Sequence, residues 1–129
     1  MATKADLESF LVRSEVDFEE VEYGTWVLRN VEGHGANVVV RIQEPIVVFR
    51  ARVMDVPESG VESFLRRVLE INATEMLHAS YGLEGNTIIA GGALTLEHLD
   101  ENEFQAMLDD VTLAISRHRA TLAAKTGGN

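Results

Sequence analysis

Hydrophobic residues in the first half of the chain change from helical to strand spacing. After Thr3, which can cap a helix, apolar residues recur at helical spacing, at Leu7, Phe10 and Leu11. Three segments that alternate apolar and polar residues then predict strands, at 18–28, 37–43 and 46–54. Gly24 lies where the first of these strands can bend or divide in two. The pattern predicts one helix followed by three strands.

The second half of the chain shows the clearest periodicity. Its first five regularly spaced apolar residues predict a helix, at Val61, Phe64, Leu65, Val68 and Leu69. A strand is predicted over 77–83, and the Glu84–Gly85–Asn86 turn leads into a second strand over 87–90. Asp100, with Glu103 three residues later, resembles a capping box. The long helix that follows carries its apolar residues on one side, at Phe104, Met107, Leu108, Val111, Ile115 and Leu122.

The order of these elements predicts a fold class. Helix, three strands, helix, two strands and helix place strands on both sides of a central helix. This order favours an α+β domain, with an antiparallel β-sheet of about five strands and helices packed on one face, over a parallel doubly wound sheet. The 129 residues are the size of one domain. That domain is predicted over 1–125, with a frayed tail at 126–129.

The predicted strand 46–54 separates its two faces. One face is apolar and is expected to meet the core, with Val47, Phe49, Ala51 and Val53. The opposite face is partly apolar and partly basic, with Ile46, Val48, Arg50 and Arg52. A face of this mixed kind suits either a wetted antiparallel sheet or a surface covered by a client protein or a second subunit. Both interpretations stay open.

Composition and charge exclude several function classes. The chain has no cysteine, which excludes disulfides, thiolate catalysis and sulfur-ligated metal sites. The formal net charge of -10 disfavours nucleic acid and anionic membranes as partners. No apolar run approaches the roughly 20 residues needed to cross a bilayer, and the N-terminus lacks the layout of a secretion signal. We therefore expect a cytoplasmic protein with no membrane or nucleic-acid partner.

The negative charge is concentrated near the N-terminus. Residues 1–24 contain seven acidic residues against Lys4 and Arg13. One interpretation is a solvated face that aids solubility. The other is an electrostatic guide for a basic client segment.

Residues that could support catalysis or metal binding are not grouped in the sequence. The histidines, His34, His78, His98 and His118, have no spacing that would gather metal ligands on one element. Asp109 and Asp110 point in different directions on a helix and are expected to be surface charge. The Gly91–Gly92 pair lacks the lysine of a phosphate loop and is expected to mark a bulge or a close helix contact. The sequence predicts no catalytic residue, no metal site and no cofactor.

Several motifs of the second half resemble a known family. They are the run Leu69–Ala73, the segment His78–Leu83, the turn Glu84–Asn86 and the segment Leu94–Phe104. Together they resemble the YbjN family of small bacterial proteins, whose fold is that of the CesT-like type III secretion chaperones. The resemblance is good over roughly 60–120, whereas the first half agrees only in the order of its elements.

The resemblance implies a small, non-enzymatic homodimer that binds a protein segment or an effector-like client, or that acts as a sensory transduction regulator. On the first helix and the outer sheet face, the residues expected to contact a partner are Leu7, Phe10, Leu11, Ile46 and Val48. Two other classes stay open. One is a regulatory domain with a small-molecule pocket between sheet and helices, and the other is an enzyme whose titratable residues are gathered only by the fold.

Overall fold

The computed structural model describes residues 1–31 and 36–127. Its helices are α1 Lys4–Arg13, α2 Val61–Thr74, α3 Glu101–Leu113 and α4 Arg119–Gly127. A π-helical turn, Ala114–His118, joins α3 to α4. The strands are β1 Phe18–Glu22, β2 Thr25–Val31, β3 Ala36–Gln43, β4 Ile46–Asp55, β5 Ser80–Glu84 and β6 Thr87–Thr95.

The strands form one antiparallel sheet in the order β1-β2-β3-β4-β6-β5. The α+β class is confirmed, with six strands among the described residues rather than about five. The extra strand arises because the predicted strand 18–28 divides at Gly24, whose φ of 75° is easy only for glycine. The turn expected around 32–35 lies outside the described residues.

The helices cover one face of the sheet, and the core lies between the two layers. In β4 the burial alternates as predicted, with Val47, Phe49, Ala51 and Val53 buried. Phe104 of α3 packs edge-on against Phe49, with ring centroids 5.1 Å apart. Gly92 allows this close approach, because a Cβ there would lie 3.0 Å from the Met107 Cε of α3. The expectation that the glycine pair marks a close helix contact is confirmed at Gly92.

Side-chain caps begin two of the helices where the sequence predicts them. The Thr3 hydroxyl accepts a hydrogen bond from the Asp6 N–H, and the Asp6 carboxylate accepts one from the Thr3 N–H. This reciprocal pair is a capping box that satisfies N–H groups left unpaired at the start of α1. At α3 the Asp100 side chain accepts from the Glu103 N–H. Both helices therefore start at the residues that the sequence marks.

The strand predicted from Leu77 begins only at Ser80, and Asp110 is the reason. Its Oδ2 accepts the N–H groups of Leu77 at 3.0 Å and Ala79 at 3.1 Å, and also that of His78. These N–H groups are therefore not available to a β-ladder. The expectation that Asp110 is surface charge is wrong, because Asp110 is only 8% exposed. Asp109 is exposed, as expected.

The C-terminal helix continues further than predicted. The α4 helix runs to Gly127, so of the tail expected at 126–129 only the last two residues lie outside the described part of the chain. A single domain over 1–125 stays a prediction.

Candidate protein-interaction surfaces

Helix α2 carries apolar residues on two sides. Phe64, Val68 and Ile71 are buried against the sheet and the C-terminal helix. A second apolar row, which we call the α2 apolar face, consists of Val61, Leu65, Leu69 and Ala73. Leu65 is half-buried and also packs against the core, whereas the other three are exposed. Leu69 is 66% exposed and Val61 is 40% exposed. In the described structure the α2 apolar face therefore has large side chains that the rest of the chain does not cover.

Charged residues of both signs flank the α2 apolar face. Glu62, Arg66 and Glu70 line the same shallow depression as the apolar row. Arg66 lies 3.9 Å from Glu62, and both side chains are largely exposed, so this pair contributes little to stability. An apolar centre with a charged rim is the usual anatomy of a protein interface.

The face of the sheet turned away from the helices forms a second candidate, the outer sheet face. Its apolar members are half-buried, namely Val27, Val39, Ile46, Val48 and Ile89. Three of its arginines pair with acidic residues of this chain: Arg29 with Glu19 at 3.2 Å, Arg52 with Asp55 at 2.8 Å, and Arg50 with Glu84. A shallow depression lies around Gly91, where glycine is required because a Cβ would lie 2.1 Å from the Phe49 carbonyl oxygen.

The five residues expected to contact a partner differ in how deeply they are buried. Leu7 and Leu11 are fully buried in the core and have no exposed area. Phe10 is half-buried, with its ring centroid 5.4 Å from that of Phe104. Ile46 and Val48 are half-buried on the outer sheet face. Leu7 and Leu11 therefore have no surface with which to contact a partner. Partner contact by the other three residues stays a prediction.

The acidic segment found in the sequence forms one edge of the sheet. We call residues 15–22 the acidic edge, because five of its eight residues are Asp or Glu and it contains β1. Lys4 of α1 ties it to the helix layer through a salt bridge to Glu20 at 3.2 Å. The Glu20 carboxylate also accepts the Gly24 N–H, and these contacts lower its pKa. Tyr23, 89% exposed, holds its ring under the Lys4 ammonium, 5.1 Å from it.

Several polar groups inside the fold contact other elements, although the Tyr81 hydroxyl and the His118 Nδ1 are buried without a hydrogen-bond partner among the described residues. Asn72 of α2 donates to the Tyr81 carbonyl at 3.1 Å and accepts the Tyr81 N–H at 2.7 Å. His118 is 2% exposed, and its Nε2 lies 3.3 Å from Glu75. The His118 ring also packs on Tyr81, and burial raises the pKa of the Tyr81 hydroxyl. These groups join α2, β5 and the C-terminal helix and do not converge in a cleft.

The described residues hold no metal-binding group. Among residues 1–31 and 36–127, no three His, Asp or Glu side chains are placed to share an ion. His34 lies outside the described residues. Nor does any described helix combine the length and the apolar character that a bilayer crossing requires.

The CesT_Tir_1 family model matches residues 1–126, nearly the whole chain. The chain belongs to the CesT_Tir_1 family. No curated protein sequence matches it. The family assignment confirms the resemblance seen in the second half and extends it to the first half, where only the order of elements had agreed.

Solved structures show the same fold at low sequence identity. YbjN from E. coli is similar with a TM-score of 0.68 and 14% identity, over 92% of each chain. The ExoU–SpcU complex of the type III secretion system of Pseudomonas aeruginosa has a chain with a TM-score of 0.68 and 13% identity, over 86% of this chain and 93% of the other. The HopA1–SchA chaperone–effector complex has one with a TM-score of 0.68 and 11% identity, over 91% of this chain and 92% of the other. At such identities the likeness establishes the fold, which the CesT_Tir_1 chain shares with YbjN and with secretion chaperones.

Proposed function

We propose that this CesT_Tir_1 protein is a non-enzymatic protein-binding module that works as a homodimer and binds a segment of a partner protein. The observation that carries the proposal is the α2 apolar face, where Leu69 and Val61 are exposed although the same helix already buries Phe64, Val68 and Ile71. A contiguous apolar row beyond what the core needs is typical of an interaction surface.

The structural neighbours support a protein-binding role. The ExoU–SpcU and HopA1–SchA structures are complexes of two proteins, and the second is named as a chaperone with its effector. Their fold is the fold of this chain, so a fold of this type is compatible with holding a partner segment. Because fold alone does not establish activity, the proposal depends on the exposed surfaces of this chain.

The α2 apolar face serves self-association in this proposal. Two α2 helices pack antiparallel about a two-fold axis, so that Leu65 and Leu69 of one copy meet the same residues of the other. The rim of Glu62, Arg66 and Glu70 carries both signs of charge and does not exclude a second copy. Partner contact is then left to other surfaces, among them Phe10, Ile46 and Val48.

The dimer is tested by light scattering over a range of protein concentrations. Replacing Leu69 by Asp, or Leu65 by Asp, places a charge in the apolar contact of both copies, and we expect the dimer to weaken by at least about 100-fold. Ser63→Asp is the matched control, because Ser63 is an exposed residue of the same helix and lies away from the apolar row.

A second arm separates the two candidate surfaces. Val48→Asp alters the outer sheet face and is expected to leave the dimer intact. A monomeric wild-type chain, or a dimer that survives Leu69→Asp and dissociates with Val48→Asp, contradicts self-association through α2. Circular dichroism of each variant shows whether the chain remains folded.

A cytoplasmic location belongs to the same proposal, since the outer surfaces carry charged side chains and the partner is a protein segment. The alternative of a small-molecule pocket between sheet and helices is less well supported. The depressions at α2 and near Gly91 both open on outer surfaces.

A further inference from the structure

The charged residues of helix α2 lie on one side of its exposed apolar row. Successive residues of an α-helix are rotated by about 100°, so the α2 apolar face forms a row about 120° wide. Glu62, Arg66 and Glu70 follow on the flank of this row that points away from the buried residues, and they line the same shallow depression. A second molecule at this face therefore meets an apolar row with a single charged flank, in the order negative, positive, negative.

The charges of this flank are not neutralised within the described chain. Arg66 lies 3.9 Å from Glu62, with side chains 73% and 92% exposed, so water screens the pair and weakens it. Glu70 is exposed and has no ion-pair partner among residues 1–31 and 36–127. A positive and a negative side chain, one helical turn apart, are therefore available to a second molecule.

The position of the charged flank distinguishes the two ways in which two α2 helices can align. In a parallel pair, two-fold symmetry places the charged flank of each helix beside the core-facing flank of the other, which carries Val68 and Asn72. Arg66 then meets no opposite charge. In an antiparallel pair the two charged flanks lie side by side. An axis that passes near residue 68 then places Arg66 beside Glu70 of the second copy, and symmetry forms this pair twice.

The apolar row selects this register among the antiparallel ones. An axis near residue 66 would place Arg66 beside its own copy. An axis near residue 64 would pair Arg66 with Glu62, but Leu69 would then lie opposite Ser59, before the second helix begins at Val61. Leu69, which is 66% exposed, would stay uncovered. With the axis near residue 68, Leu69 lies at the centre of the contact.

We propose that Arg66 and Glu70 are the specificity-determining residues of self-association, each pairing with the other residue on a second copy of the chain across an antiparallel α2 contact. This inference rests on the proposed homodimer and names the residues that decide its orientation and register. Because exposed ion pairs contribute little free energy, the apolar row supplies the affinity. The charged flank supplies specificity, since other arrangements leave its charges unpaired or place like charges together.

The test uses three charge variants of the full chain, namely Arg66→Glu, Glu70→Arg and the double variant that combines them. Each single variant places like charges together at both symmetry-related contacts, so the Kd of the dimer should rise by about tenfold at low salt. The double variant restores opposite charges and should return the Kd to within about threefold of the wild-type value. Sedimentation velocity over a range of protein concentrations measures the Kd, and circular dichroism shows that each variant is folded.

Arg41→Glu is the matched control, because it makes the same change of charge at an exposed residue of β3. Arg41 lies opposite Val48 on the outer sheet face and should leave the Kd unchanged. Single variants that dimerise as tightly as the wild type, or a double variant as weak as the single ones, contradict the pairing of Arg66 with Glu70. Recovery of Arg66→Glu by Glu62→Arg instead would place the axis near residue 64 and overturn the proposed register.

A mixing experiment tests the orientation. The wild type and the double variant should each form matched homodimers, whereas an antiparallel dimer of one with the other would place like charges together at both contacts. Native mass spectrometry of an equilibrated mixture, with one of the two chains isotope-labelled, should therefore show mostly homodimers. Mixed dimers in the proportion expected for random pairing overturn the inference, because a parallel contact keeps the charged flanks apart.

The outcome for the charged flank is separate from the outcome for the proposed function. A dimer that dissociates with Leu69→Asp but is unaffected by the charge variants keeps self-association through α2 and removes the pairing of Arg66 with Glu70. A wild-type chain that is monomeric at all concentrations removes both.

Discussion

Two adjacent aspartates show how a single side chain changes the path of the backbone. Asp109 is exposed and accepts a hydrogen bond from the Gln105 amide at 2.7 Å within the same helix. Asp110 is buried and holds three consecutive N–H groups of the chain before β5. A carboxylate that accepts several backbone N–H groups compensates for its own burial. The residue therefore sets where β5 begins.

Replacement of Asp110 by Ala should lower the free energy of unfolding by about 2–4 kcal/mol, because three N–H groups lose their acceptor. Urea unfolding followed by the fluorescence of Trp26, the single tryptophan and a fully buried residue, measures the change. Asp109→Ala is the matched control and should cost less than about 0.5 kcal/mol. Equal losses at the two positions would show that the three hydrogen bonds to Asp110 add nothing to the free energy of unfolding.

At the scale of elements, helix α2 makes different contacts on its different sides. One side packs into the core, the α2 apolar face stays exposed, and Asn72 near the C-terminal end bonds to β5 in the manner of a neighbouring strand. Further along the chain, the π-helical turn Ala114–His118 carries His118 against Glu75, just beyond the end of α2. The end of α2 is thus held from two directions, by β5 and by the C-terminal helix.

Replacement of Asn72 by Ala should lower the free energy of unfolding by about 1–3 kcal/mol, since the Tyr81 N–H and C=O lose their partner. The amide of Tyr81 should also exchange faster with solvent, which NMR can measure. Alanine favours a helix more than asparagine does, so Asn102→Ala, at an exposed position of α3, corrects for that difference. Unchanged exchange at Tyr81 would mean that Asn72 does not protect the Tyr81 N–H.

For the whole molecule, acidic side chains and their partners relate stability to pH. Backbone and hydroxyl hydrogen bonds from Thr3 lower the pKa of Asp6, the Gly24 N–H lowers that of Glu20, and Arg52 lowers that of Asp55. A group whose pKa is lower in the folded state adds stability above its unfolded pKa of about 4. That contribution is lost as pH falls through the lower, folded value.

The protein should therefore lose stability as pH decreases below about 4. The triple variant Asp6→Asn, Glu20→Gln and Asp55→Asn should show a weaker dependence in this range, because three of the groups responsible no longer titrate. Thermal unfolding monitored by circular dichroism between pH 3 and 7 gives the comparison, with Glu58→Gln as control. Identical pH profiles for the wild type and the triple variant would contradict this assignment.

The fold was accessible to prediction where the sequence carries a local signal. Thr3 and Asp100 mark helix starts because their side chains satisfy N–H groups within the next turn, and β4 alternates because its two faces meet different surroundings. The apolar stripe of α2 also contained a sign of the exposed α2 apolar face. Val61, Phe64 and Leu69 span about 140° of the helix surface, which is more than one contact with a sheet requires.

The candidate surfaces were less accessible, because periodicity shows that a residue is apolar but not which layer covers it. Leu7 and Leu11 were expected at a surface and are buried on the core side of α1, whereas Leu69 shares a stripe with core residues and is exposed. His118 follows Ile115 and precedes Leu122 at helical spacing, a pattern that placed it on the buried side of its helix. The sequence therefore contained a signal for the burial of His118. Its contact with Glu75 depends on how the helices pack.

The amino-acid sequence by itself determined the order of the elements, the α+β class, the helix caps and the excess of negative charge, because each depends on neighbouring residues or on composition. Only the tertiary structure decided which apolar residues stay exposed, that Asp110 and Asn72 bond main-chain groups of Ala79 and Tyr81 at the β5 edge, and that the acidic segment forms the β1 edge. The physical reason is that these features arise between residues far apart in the chain, whose burial and bonding exist only after the sheet and helices have packed.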